Sequence, residues 1–124
     1  MKEPVVLLVD DETEFLEAVQ VGLQDKGCTV LVAEGAAEGL EVLAKSKPDV
    51  IITDLKMQPM NGFEFYQQVK KMAGMNNIPF FFLTGMKDEL AEKYGLTLGA
   101  EAYFIKPIDL DVLEKAIKKA VAKK

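Results

Sequence analysis

Asp10 and Asp11 stand side by side directly after the apolar run VVLLV, and Asp54 stands directly after VIIT. Thr84, followed by Gly85, comes after a third run, IPFFFL, and Lys106, followed by Pro107, comes after a fourth, AYFI. If these runs are parallel strands of one sheet, their carboxyl ends share an edge, which is where open α/β sheets bind ligands. That edge then carries three carboxylates, one hydroxyl and one ammonium. Carboxylates are hard donors suited to a divalent cation, while a hydroxyl and an ammonium suit the oxygens of a phosphoryl group. Two like charges about 4 Å apart at an effective dielectric near 20 repel by roughly 4 kcal/mol. Without a cation the site would push at least one carboxyl towards protonation, so a metal is the natural resolution.

The elements that must position these residues follow in the order strand, helix, five times over. Strands are expected at Val5 to Val9, Cys28 to Ala33, Asp49 to Thr53, Ile78 to Leu83 and Ala102 to Ile105. Their continuous apolar character, rather than strict alternation, indicates strands covered on both faces. Helical stripes run through Phe15, Ala18, Val19, Gly22 and Leu23, ended by Gly27, and through Ala36, Leu40, Leu43 and Ala44, before Pro48. A third runs through Phe65, Tyr66, Val69, Met72 and Ala73 to Gly74, and a short fourth through Leu90, Ala91 and Tyr94 to Gly95. The last is the strongest, with Leu110, Leu113, Ala116, Ile117, Ala120 and Val121 behind a capping Asp109. Alternating βα units with short connections imply a parallel, doubly wound sheet of class α/β. No repeat, low-complexity tract or linker interrupts residues 1–124, which are expected to form one domain.

Composition narrows the function. The net charge is −5 and all 15 basic residues are lysine, which argues against a nucleic-acid interface, since phosphate backbones are gripped by clustered cations. The chain has no His, which excludes a Ser/His/Asp triad and makes a zinc site a poor fit. Cys28 is the single cysteine and cannot form an internal disulfide, in keeping with a reducing cytoplasm. No signal peptide or apolar stretch of membrane-spanning length is present, so no membrane partner is expected.

Each candidate residue also has a purely structural reading. Asp11 and Glu14 have the spacing of a capping box for the first helix. Lys106 is one lysine among many, Thr84 a β-branched strand residue, and Tyr103 a half-buried packing aromatic. Their shared position at strand ends sets the first three apart. Pro107 adds to this, because it cannot donate to the ladder and can take a cis bond at modest cost.

Segments LVDDE, DLKMQPMNG, LTG and GAEAYFIKP, in this order and spacing, resemble the receiver domain of two-component response regulators, from Val5 to the last helix. The resemblance implies a flavodoxin-like (βα)5 sandwich of strand order 2-1-3-4-5 flanked by five helices. It makes Asp54 the phosphoacceptor, with Thr84 and Lys106 contacting the phosphoryl group. It assigns Mg2+, with Mn2+ as a substitute, to Asp10, Asp11, Asp54 and the backbone carbonyl of Lys56. Thr84 and Tyr103 become the switch pair and Lys106–Pro107 a cis peptide. The implied donor is a histidine kinase or a histidine phosphotransfer protein, and the implied output runs through the fourth helix, fifth strand and fifth helix to an effector, an output domain or a homodimer partner. Such a domain is a cytoplasmic signalling switch with slow Mg2+-dependent self-dephosphorylation, not a metabolic enzyme. One departure stands out: the family has proline directly after the methionine of the DLxM stretch, whereas here Gln58 separates Met57 from Pro59.

Three rivals are weaker. A dehalogenase-type metal-dependent phosphatase needs Asp-x-Asp, but Glu12 stands two residues after Asp10. A flavin or nucleotide binder needs a Gly-rich loop after the first strand, where acids stand instead. A pseudo-receiver would have lost part of the acid pair, acceptor, Thr and Lys set, which is intact.

Overall fold

The computed structural model describes residues 3–123. Five strands, β1 (Val5–Val9), β2 (Thr29–Ala33), β3 (Val50–Thr53), β4 (Phe80–Thr84) and β5 (Ala102–Ile105), alternate with five helices, α1 (Thr13–Asp25), α2 (Ala36–Lys45), α3 (Gly62–Lys70), α4 (Glu89–Leu98) and α5 (Leu110–Ala122). All strand pairings are parallel and the order is β2-β1-β3-β4-β5. Alternate residues of each strand face opposite layers. Leu7, Val9, Ile51, Phe80 and Phe82 pack with Leu43 of α2 and Phe65 and Val69 of α3. Val6, Leu8, Ile52, Phe81 and Leu83 pack with Leu16, Val19 and Leu23 of α1 and Leu113 and Ile117 of α5. Both faces are therefore dry, which is why the strands read as unbroken apolar runs.

Several boundaries differ from those read off the sequence. Strand β2 begins at Thr29, because the Cys28 amide donates to the Leu23 carbonyl and so belongs to the turn that closes α1. Strand β4 runs from Phe80 to Thr84, and Thr84 pairs with Ile105 as a ladder residue. Glycine 95 does not end the fourth helix. It is buried inside α4, where a Cβ would lie 3.1 Å from the Phe82 ring, so it lets the helix approach the sheet, and the stop is Gly99 at φ +122°. Helix α3 ends at Lys70, before the predicted Met72 and Ala73, and Gly74 (φ +80°) lies in the turns that follow. The N-cap of α1 is Glu12, without a side-chain cap bond, so the Asp11/Glu14 capping box does not form. Asp109 does cap α5, accepting from the Asp111 amide.

Candidate functional site

The strand register brings the chemistry together. Val9 pairs with Thr53, so the next residues, Asp10 and Asp54, leave adjacent strands at the same level. The ladder extends one bond beyond each: Asp10 N–H donates to Ala33 O at 3.1 Å and Asp54 N–H to Val9 O at 3.0 Å. On the far side Lys106 N–H donates to Thr84 O at 2.8 Å, fixing the base of the lysine beside the threonine. The Lys106–Pro107 peptide is cis, as is Gln58–Pro59 in the loop after β3. Among the described residues the buried polar or charged side chains are Asp10, Thr53, Asp54 and Thr84, all at this one edge.

The Lys106 ammonium lies among the acids. Its Nζ is 2.7 Å from Glu12 Oε1, 2.8 Å from Asp10 Oδ2 and 3.2 Å from Asp54 Oδ2, and 4.2 Å from the centre of the Phe15 ring. Main-chain amides hold the remaining carboxylate oxygens: Glu12 N–H donates to Asp10 Oδ1 at 2.9 Å and Leu55 N–H to Asp54 Oδ1 at 2.7 Å. Burial pushes the Asp10 carboxyl above its usual range, and bonds from Lys106 and the Glu12 amide offset only part of that. Burial alone would pull the Lys106 ammonium down, but hydrogen bonds to Asp10 and Glu12 and the charges of Asp10 and Asp54 reverse it and hold Lys106 well above the ordinary lysine range. The repulsion expected from crowded carboxylates is thus met in part by an internal cation.

The opening above this cluster, about 340 Å³, is lined by Asp11, Glu12, Asp54, Lys56, Thr84, Gly85 and Met86. Carboxylate oxygens of Asp10, Glu12 and Asp54 lie within 4.8 Å of one another, a spacing that a small, hard divalent cation can bridge. Asp11 is exposed and lines the opening without joining that set of three. Glu12 is the residue that sequence reasoning missed. Its type and place read as the start of a helix, and only the fold carries it to a lysine 94 positions away. The floor of the site is equally specific. A Cβ on Gly62 would sit 2.2 Å from the Asp54 carbonyl oxygen, so α3 can start against the loop that follows β3 only with glycine there. Asn61 and Glu64 form a full capping box around it.

A chain of bonds leads away from the edge. The Met86 amide donates to Thr84 Oγ1 at 3.2 Å, and the Tyr103 hydroxyl donates to the Met86 carbonyl at 2.7 Å. The Tyr103 ring is buried, tilted against Phe82.

Residues 6–118 match the family model described as the response regulator receiver domain. The chain belongs to that family. It is 32% identical to Protein PilH of Pseudomonas aeruginosa over 94% of this chain and 97% of PilH. It is 35% identical to Response regulator Rre1 of Synechocystis over 99% of this chain but 54% of Rre1. The chain spans about half of Rre1 and 26% of the transcriptional regulatory protein GlrR of Escherichia coli. Among solved structures it resembles a receiver domain protein from Clostridium thermocellum (TM-score 0.89, 30% identity, 97% and 95% of the two chains). The chemotaxis response regulator CheY4 of Vibrio cholerae is similar too (TM-score 0.87, 31% identity, 96% and 99%).

Proposed function

We propose that residues 1–124 form a single receiver domain that accepts a phosphoryl group on Asp54 from a phosphohistidine of a histidine kinase or histidine phosphotransfer protein. The observation that carries this reading is the Asp54 carboxylate, which is buried at a strand end, oriented by the Leu55 amide and 3.2 Å from the Lys106 ammonium. A carboxylate oxygen of Asp54 attacks phosphorus, the N–P bond breaks, and the imidazole nitrogen leaves with the electron pair. Lys106 and Thr84 take up the transferred oxygens. Asp10 and Asp54, together with Asp11 and the Lys56 carbonyl at the opening, would hold Mg2+, which supplies charge neutralisation for the transfer. Of that set, Asp10 and Asp54 belong to the group of carboxylates whose oxygens lie within 4.8 Å of one another, a spacing that fits such an ion.

The product, an aspartyl phosphate, adds about 1.5 to 2 negative charges. These draw on the Thr84 hydroxyl, which releases the Met86 amide and so shifts the residue that Tyr103 holds. The output surface is α4, β5 and α5, where Leu90, Tyr94 and Leu96 of α4 and Val112 of α5 are exposed and offer apolar contact to an effector, an output domain or a second copy. Water later cleaves the acyl phosphate in the same site, so the domain acts as a slow self-resetting switch. Among the described residues no helix is long and apolar enough to cross a membrane.

Incubation with a small acyl phosphate and Mg2+ should add one phosphoryl group to the wild type and none to Asp54→Asn. Phosphorylation that persists in Asp54→Asn and is lost in Asp10→Asn would favour the dehalogenase-type reading.

A further inference from the structure

The three hydrogens of an ammonium permit three strong bonds, and Lys106 has three carboxylates within reach, on Asp10, Glu12 and Asp54. No donor is left for a phosphoryl oxygen unless one of these contacts is given up. The three are not equally replaceable. Asp10 is 1% exposed, and stripping a buried carboxylate of its cation is costly. Asp54 remains joined to the phosphoryl group itself. Glu12 makes the shortest of the three contacts, yet its side chain is 64% exposed, so water can take the place of the lysine at small cost. Glu12 also lines the opening through which the phosphoryl group must arrive. Three residues further along, Phe15 places its ring beneath the same ammonium, so the start of α1 grips Lys106 from two sides.

We propose that Glu12 is a positioning residue that competes with the phosphoryl group for Lys106, holding the ammonium at the start of α1 in the resting state and yielding it when Asp54 is modified. This rests on the reading of Asp54 and Lys106 given above. Glu12 thereby sets how much of the interaction with the phosphoryl group is spent on moving Lys106, and so how completely the switch turns over.

The test uses beryllofluoride, a phosphoryl mimic, titrated at saturating Mg2+ and followed by amide NMR. Glu12→Gln keeps the size of the side chain and removes its charge. The midpoint should fall by about two- to fivefold, the range for an exposed ion pair. In the resting, metal-free protein, reductive methylation of Lys106 should be faster in Glu12→Gln than in the wild type, a readout that does not depend on loading the site. Removing a mere bystander charge near the opening would also tighten beryllofluoride binding, so the titration is repeated in Lys106→Gln. There the effect of Glu12→Gln should vanish. An effect of equal size in both backgrounds, or a Glu12→Gln midpoint equal to that of a normally binding wild type, overturns the role of Glu12. A wild type that takes no beryllofluoride at Asp54 overturns the phosphoacceptor reading instead.

Discussion

The hydroxyl of Tyr103 on β5 donates a 2.7 Å hydrogen bond to the main-chain carbonyl of Met86, in the loop that follows Thr84. Because the Met86 amide simultaneously donates to Thr84 Oγ1, one loop residue is held at one end by the threonine hydroxyl and at the other by the tyrosine of β5. Tyr103→Phe keeps the ring and removes the donor. It should cost about 0.5–1.5 kcal/mol in urea denaturation and weaken the spread of beryllofluoride-induced NMR shifts into α4 and α5. Unchanged stability with an unchanged spread would show that the bond couples nothing.

Gly62→Ala should damage the site from below. The added methyl meets backbone atoms of Asp54 and Leu55, at 2.2 Å and 2.9 Å, rather than a flexible side chain, so relief requires the loop after β3 itself to move. A loss of roughly 1–3 kcal/mol is expected from overpacking, together with slower phosphorylation by a small acyl phosphate. A variant as stable and as fast as the wild type would show that the loop has slack the structure does not suggest.

Lys106→Ala removes the internal cation and leaves Asp10, Glu12 and Asp54 facing one another. Breaking a largely buried ion pair from one side costs about 3–5 kcal/mol, so the metal-free variant should be several kcal/mol less stable than the wild type. Mg2+ should recover more stability in the variant than it adds to the wild type, by mass action. If Mg2+ stabilised both proteins equally, the ammonium and the metal would not share a role in balancing these acids.

Lys70 offers a test of pH dependence away from the site. Its ammonium donates to the carbonyls of Asn76 and Ile78, both at 3.0 Å, and lies over the Tyr66 and Phe80 rings. Burial holds it below the ordinary lysine value of 10.5. Between that lowered value and 10.5 the unfolded chain binds more protons at this residue than the folded one, so this residue's contribution to stability rises with pH across the window. Subtracting the Lys70→Met curve of stability against pH from the wild-type curve should isolate that rise. A flat difference would mean that the ammonium is not desolvated.

How much of this was legible beforehand depended on the kind of signal. Strands β1 and β5 were readable to the residue, because Asp10 and Lys106 end their apolar runs abruptly. Cys28 and Ile78 look like strand residues in the sequence because apolar type is visible there, whereas the partner of an amide is not. Gly95 read as a helix stop because its reason for being glycine, the Phe82 ring, belongs to another element. Strand order came from the family resemblance, since periodicity does not say which strands are neighbours. Asp10, Asp54, Thr84 and Lys106 were each legible from a strand end. Glu12 was not, because its importance arises only when β5 is laid against the start of α1.

The central claim, that Asp54 is the phosphoacceptor, is tested most directly by trapping the modified residue. An acyl phosphate on aspartate is reduced by borohydride to homoserine, which marks its position permanently for peptide mapping by mass spectrometry. After incubation of the wild type with a small acyl phosphate and Mg2+, homoserine should be found at position 54 alone, and omission of Mg2+ should abolish it. Homoserine at position 10 or 11, or none at position 54 in a protein that has demonstrably taken up phosphate, would contradict the account.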